Sequence, residues 1–322
     1  MKAISVLQRF RLCGWLLACA VVAPTAHAQS AGRPIEIIVN APAGGSVDTV
    51  ARLFADKVGP PFKGRLVVIN KPGAGGVLGE GEVARASGEG TILFTGSSTA
   101  VNAVIYKDPP YDPALLKPAA LIVMLPWVIV TNPEVPAKNL TELLQLAKKK
   151  RDGIFAASAA NSTLMAIHLL QRAADVEFQI VPYNGGPPAA VALIRNDVQL
   201  VVADVLSMSE QIRSGKLRAL AVTGKERSKL LPEVPTTAEA GLPSYTAHTW
   251  FAAFVPQKAP PEFAETVNAA VNAFVRDPDV KARLEALGGT PGGMSVAEFT
   301  KYYEDTRALF KRIIAESKIP LQ

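Results

Sequence analysis

The sequence predicts an α/β fold of two lobes, and three observations carry the prediction. Short apolar runs alternate with stretches of helical spacing along most of the 322 residues. Strand–helix alternation of that kind builds largely parallel sheets. The first run ends in a glycine loop that opens a helix. After a strand-like run at 250–255 the pattern turns wholly helical, as in a chain that completes one α/β unit, builds a second, and returns to cover the first.

Strands are expected at 35–39, 66–69, 91–94, 128–131, 154–156, 178–181, 198–202 and 217–222. Between them apolar residues fall at helical spacing, as in Val47, Val50, Ala51, Phe54 and Val58, and again in Phe263, Val267, Val271 and Phe274. A helix over 139–151 ends in Lys148-Lys149-Lys150-Arg151, where cations complement the helix dipole. Phe299, Tyr302, Tyr303, Phe310, Ile313 and Ile314 form one apolar stripe, read as core packing. In open parallel sheets ligands sit beyond the carboxyl ends of strands, so the loops that follow the strands are where a site belongs.

The loop after the first strand is the most informative. It reads Asn40-Ala41-Pro42-Ala43-Gly44-Gly45-Ser46-Val47-Asp48 and leads straight into helical spacing. Exposed N–H groups and the positive end of a helix dipole favour a carboxylate or phosphate at such a turn. No lysine or arginine lies between Asn40 and Thr49, so an anion here is held by backbone, hydroxyl or water. The competing reading is a tight turn into a helix capped by Ser46 or Asp48.

Residues 1–28 read as a cleavable signal peptide. Lys2, Arg9 and Arg11 form a basic start, 12–22 an apolar core, and Ala26-His27-Ala28 a cleavage site that leaves Gln29 first. The apolar core is shorter than the roughly 20 residues that span a bilayer. Leu16-Leu17-Ala18-Cys19 also resembles a lipoprotein box, although Leu17 is bulky for its place and the segment after Cys19 stays apolar. Both cysteines, Cys13 and Cys19, lie in this leader, so the mature chain offers no thiol for a disulfide, a nucleophile or a metal. Removing the leader lowers the formal charge from +6 to +3, too weak for a nucleic-acid footprint.

Further blocks carry a resemblance. Val68-Ile69-Asn70-Lys71-Pro72-Gly73-Ala74-Gly75-Gly76 precedes Gly79 and Val83-Ala84-Arg85-Ala86. Gly96-Ser97-Ser98-Thr99, Asn102 and Tyr106 follow, then Pro110-Tyr111-Asp112-Pro113. Next come Val181-Pro182-Tyr183-Asn184-Gly185, the run 215–223, Val234-Pro235-Thr236, Glu239-Ala240-Gly241, Trp250-Phe251 and Pro256. In this order, with the Ala43–Asp48 loop at their head, they resemble the extracytoplasmic solute-binding proteins of tripartite tricarboxylate transporters, also called Bug receptors. The resemblance runs from about Arg33 to Ile319.

The resemblance implies a periplasmic type II binding-protein fold: two α/β lobes, a two-segment hinge and a ligand cleft between them. It places lobe 1 at 29–126 plus 249–322 and lobe 2 at 127–248, with crossings near 126–128 and 248–250. It implies a small carboxylate ligand held largely through backbone and ordered water, a partner permease in the membrane, no cofactor or metal, and a monomeric periplasmic receptor.

In lobe 1 the expected ligand contacts are Ala43, Gly44, Gly45 and Ser46, with Ser97, Ser98 and Thr99 opposite. Asp48 reads as a cap or loop brace, because an anion would repel it. In lobe 2 they are Ser158, Ser162, Thr163, Tyr183, Gly185 and Asp204, with Asn161 in the same loop. Ser162 or Thr163 has the alternative of a helix N-cap, Tyr183 of an amphipathic rim residue, and Asp204 of a cap for the helix that begins near Leu206. The chain departs from the family where Leu164 replaces a histidine that commonly follows the Ser/Thr pair, and where Ala157, Ala159 or Ala160 replaces the loop's usual glycines. A less polar or differently shaped ligand end is the expectation that follows.

The alternatives are an enzyme and a sensor. Nucleophilic catalysis needs a serine or cysteine with an oriented base. No Gly-x-Ser-x-Gly elbow occurs, His168 and His248 are the two histidines outside the leader, and the glycine loop lacks the Gly-Lys-Ser/Thr of a P-loop. A sensor would present its closed, ligand-bound form to a receptor kinase. The sequence leaves that output open beside transport.

Overall fold

The computed structural model describes residues 34–322 apart from 59–61, 63–65, 150–152, 287 and 317–318. The signal peptide expected at 1–28, with Cys13 and Cys19, and Lys150 and Arg151 lie outside the described residues. In chain order the elements are β1 (Ile35–Val39), α1 (Ser46–Lys57), β2 (Leu66–Asn70), α2 (Val77–Arg85), β3 (Thr91–Gly96), α3 (Ser98–Ile105) and β4 (Leu116–Thr131). Then come α4 (Leu140–Lys149), β5 (Phe155–Ser158), α5 (Asn161–Ala174), β6 (Gln179–Pro182), α6 (Gly186–Ile194), β7 (Leu200–Asp204), α7 (Val205–Arg213) and β8 (Arg218–Val222). The chain closes with β9 (His248–Pro256), α8 (Pro261–Arg276), α9 (Pro278–Ala286), β10 (Thr290–Pro291) and α10 (Val296–Glu316).

Each expected strand is present and all but that at 128–131 have bounds within two residues of the expectation, because the apolar β-rich runs coincide with the buried registers. β1 lies between β2 and β3, parallel to both, and β3 pairs antiparallel with β9. In the second lobe β5 lies between β6 and β7, again parallel to both. The strand-order path is β2-β1-β3-β9-β4-β7-β5-β6, with β8 and β10 also on β4.

The expected strand at 128–131 is only the end of a much longer one. β4 starts at Leu116 and contains Pro118 and Pro126, residues that argue against a strand interior because they give the ladder no N–H. They are accommodated by register shifts along β9 and by a change of partner. Leu116 to Pro126 pair with β9, and from Trp127 onward the strand pairs with β7 and, from Val128, with β8. One strand therefore runs from the first sheet into the second.

Both lobes are three-layered. On one face of the first sheet, Phe54 of α1 packs edge-on against Phe94 and Phe274 at centroid distances of 5.1 and 5.3 Å. On the other face the expected stripe of α10 is core, in part: Phe299 and Tyr303 pack against Trp250 and Phe254, whereas Phe310 and Tyr302 are only partly buried. In the second lobe α4 and α5 cover one face and α6 and α7 the other. A further apolar cluster joins the lobes. Val101 and Ile105 of α3, Met165 of α5, Ile313 and Ile314 of α10, and Ile319 pack together, with Leu164 against them. Among the described residues no helix is long and apolar enough to cross a membrane.

Candidate ligand-binding site

The strand ends of both sheets face one cavity of about 390 Å³. This follows from the parallel order, which sends each strand's carboxyl end into a loop and a helix N-terminus on the same edge. The N-terminal residues of six helices line the cavity: Gly45 and Ser46 of α1, Gly76 of α2, Ser98 of α3, Ala160 of α5, Gly185 and Gly186 of α6, and Asp204 of α7. Among the described residues no lysine, arginine or histidine lines it, and Asp204 is its one ionisable side chain. The cavity thus acquires positive potential from peptide dipoles alone.

The glycine loop is built around Asp48. The α1 N-cap is Gly45, with no side-chain cap, so neither Ser46 nor Asp48 caps the helix. Asp48 folds back instead: its carboxylate accepts from Gly44 N–H (2.8 Å), Arg52 Nε (3.0 Å) and Asn70 Nδ2 (2.9 Å). Burial would push this carboxyl up, but those donors outweigh burial and hold it below its ordinary value. Gly45 N–H donates to Pro42 O at 3.3 Å. The amides of Gly44 and Gly45 are therefore occupied within the loop. The N–H groups of Ser46, Val47 and Asp48 follow them in the first turn, where no intrahelical acceptor exists.

The lobes touch across the cavity. Ser46 Oγ donates to Asp204 Oδ1 at 2.7 Å. Asp204 also caps α7, accepting from Ser207 N–H at 3.0 Å, so the cap reading and a cavity-facing carboxylate hold together. Enclosure between the lobes raises its carboxyl above the ordinary value, opposed by the bonds from Ser46 and Ser207. Gly185 has φ +101°, and a Cβ there would lie 2.4 Å from Pro42 Cγ. Gly75 has φ +64°, and a Cβ there would lie 2.9 Å from Asn161 Nδ2. At both points a side chain would hold the lobes apart.

The sequence-derived residues divide. Gly44, Gly45, Ser46, Ser98, Ser162, Thr163, Gly185 and Asp204 line the cavity. Ala43 is exposed beside it, and Tyr183 packs partly buried against the β7 face of its lobe. Ser97 shares a 2.9 Å hydroxyl bond with Thr249. Thr99 donates to buried Glu80 at 2.8 Å, and Ser158 Oγ bonds Ala160 O at 3.2 Å. These hydroxyls serve the loops rather than the cavity wall. The N-cap of α5 is Ala160, which corrects the cap reading of Ser162 and Thr163. Thr163 Oγ1 reaches back to accept from Ala159 N–H (2.8 Å) and Ala160 N–H (2.9 Å). Leu164 lies at the interlobe apolar cluster, not in the cavity lining.

Behind the first-lobe loops sits Glu80, fully buried. Its carboxylate accepts from Asn40 Nδ2, Thr99 Oγ1, Asn102 Nδ2 and Tyr111 OH at 2.7–3.0 Å. Burial raises its carboxyl and the four donors counter that. Asn102 carries the network onward by accepting from Asn161 Nδ2 of the second lobe at 2.8 Å. Glu80 escaped the sequence reading because a lone acid at helical spacing looks like a solvated face. Trp127, Thr249, Phe251, Ser207 and Gln211 also line the cavity. The spacing of Ser207 and Gln211 after Asp204, one turn apart on one helix face, was a signal available for the last two.

Two α/β lobes that share a strand and close on a dipole-lined cavity at their strand ends define a solute-binding protein. The chain belongs to the tripartite tricarboxylate transporter receptor family, whose sequence pattern matches residues 50–319. It is 33% identical to protein BugT of Bordetella pertussis (strain Tohama I) over 287 residues, 86% of this chain and 87% of that protein. The structure of the periplasmic binding protein BugD superposes with a TM-score of 0.84 at 28% identity, covering 90% of this chain and 99% of BugD. Rpa4515 of R. palustris, solved with adipate, gives a TM-score of 0.84 at 26% identity over 89% of this chain and 98% of the other.

Proposed function

We propose that this protein is a periplasmic receptor that captures a small carboxylate between its lobes and delivers it to a membrane permease of the tripartite tricarboxylate type. The observation that carries the reading is the convergence of six helix N-termini on a cavity that no cationic side chain among the described residues lines. The carboxylate would sit against the first turn of α1, facing the N–H groups of Ser46 and Val47, with Ser98, Ser162 and Thr163 close to bridging water. The adipate-bound relative and the family assignment support a carboxylate. We place the lobe boundaries at 126/127 and 248/249, where β4 changes partner and β9 begins. Closure then follows from ligand contacts with both lobes, which favour the closed population. The receptor acts as a monomer and performs no chemistry on its ligand.

The test is a melting-temperature screen of mono-, di- and tricarboxylates against matched alcohols and amines. A carboxylate at about 100 times its Kd is expected to stabilise by about 2.7 kcal/mol, raising the melting temperature by several degrees. Gly45→Phe should abolish that shift while leaving the ligand-free melting temperature within a few degrees. Equal shifts with the uncharged analogues, or an unchanged response in Gly45→Phe, would overturn the reading.

A further inference from the structure

The cavity does not end at the helix N-termini. It extends along the second lobe between two helix faces of opposite character. On α7, Asp204, Ser207 and Gln211 form one polar line. On α6, Gly186, Pro187, Ala190, Val191 and Ile194 form one apolar ridge. At 1.5 Å per residue, Gln211 and Ile194 lie on the order of 10 Å along their helices from the anion end. A helix dipole's influence fades within its first turn, so the far end receives none of the potential that holds the first carboxylate.

Two features of the far end call for an occupant. Val191 and Ile194 remain 47% and 38% exposed although they are large and apolar, and α6, the sequence Gly-Pro-Pro-Ala-Ala-Val-Ala-Leu-Ile, carries no charged residue on any face. A surface helix ordinarily turns a charged or polar side outward. Gln211 Oε1 is buried and has no hydrogen-bond partner among the described residues, and an unpaired buried polar atom costs about 1–3 kcal/mol. A ligand that lays an apolar body on α6 and donates one hydrogen bond to Gln211 Oε1, brought to the cavity by rotation of a side chain that already lines it, resolves both.

We propose that the far half of the cavity selects acids with a single carboxylate, an apolar body and an uncharged hydrogen-bonding tip, and rejects a second carboxylate at that tip. The inference rests on the carboxylate reading for the near half. A terminal carboxylate at the far end would lose hydration against Val191 and Ile194 and, among the described residues, find no cation to replace it.

Calorimetric titration of three six-carbon acids tests it: hexanoate, 6-hydroxyhexanoate and adipate. The last two match in length and differ in whether the tip is neutral or charged. The hydroxy acid is expected to bind at least tenfold more tightly than adipate and severalfold more tightly than hexanoate. Gln211→Leu should erase the advantage of the hydroxy acid over hexanoate. Val191→Lys, at an exposed position where the fold is not at stake, should reverse the order in favour of adipate. Adipate binding as tightly as the hydroxy acid in the unaltered protein would overturn the inference and leave the carboxylate reading standing. Binding of none of the three, with no response to any acid in the wider screen, would overturn both.

Discussion

At Gly185 the two lobes approach so closely that no Cβ fits. The position combines φ +101° with a Cβ site that Pro42 already fills, so substitution acts on the backbone and on closure at once. At φ +101° and ψ 175°, a backbone region open essentially to glycine alone, the strain is about 1–3 kcal/mol. Gly185→Val is expected to weaken ligand binding at least tenfold by calorimetry while the far-UV spectrum stays native. Asp204 makes a different residue-scale prediction. Its carboxyl is raised above the ordinary aspartate value of 3.8 by enclosure. A raised carboxyl binds more protons in the folded molecule than in the unfolded chain between 3.8 and its folded value, so its contribution falls as pH rises through that window. Asp204→Asn should therefore lose that fall, so that its melting temperature gains on the unaltered protein's as pH rises from 3.8 towards neutrality. Glu80, raised by burial in the same way, carries more partners. Glu80→Ala would leave the Asn40, Thr99, Asn102 and Tyr111 donors unpaired in the core and should cost about 3–5 kcal/mol in urea denaturation.

Among the elements, α5 joins the cavity to the apolar seam. Its first turn carries Ser162 and Thr163 at the cavity, and Leu164 and Met165 face α3 and α10. Met165→Ala would open a void in that seam and is expected to cost about 2–5 kcal/mol, with the ligand affinity falling alongside stability. The strands and the strand-end glycine loops were legible in the sequence because apolar period and turn chemistry agree there. β4 was half legible: Pro118 and Pro126 hide its first stretch, and only the sheet partners reveal why the chain stays extended. The same holds at the cavity. Gly44, Gly45, Ser46, Gly185 and Asp204 announce themselves by type and place. Thr99 and Ser97 look identical to cavity hydroxyls in sequence, and the turn of α3 directs them to Glu80 and Thr249 instead. Leu164 was informative as a departure, but its consequence lies in the interlobe packing.

Across the whole molecule, the interlobe contacts are side-chain bonds and apolar packing: Ser46 with Asp204, Asn161 with Asn102, Tyr106 and Gln322, Arg172 with Glu316, and the seam around Met165. Such a surface opens without unfolding either sheet, which suits a receptor that must release what it binds. The strand shared by both sheets bears on how that motion is distributed. Where β4 changes partner, Pro126 has no N–H, and Trp127 N–H is spent on the Thr223 hydroxyl at 2.8 Å rather than on a neighbouring strand. Flexure is concentrated at this joint, where the Trp127 carbonyl keeps one backbone bond, from Thr223 N–H at 2.9 Å. Deuterium uptake should consequently differ between empty and loaded protein at Val47, Asn161 and Gly186, while Ile129 and Ala252 keep the same slow exchange in both.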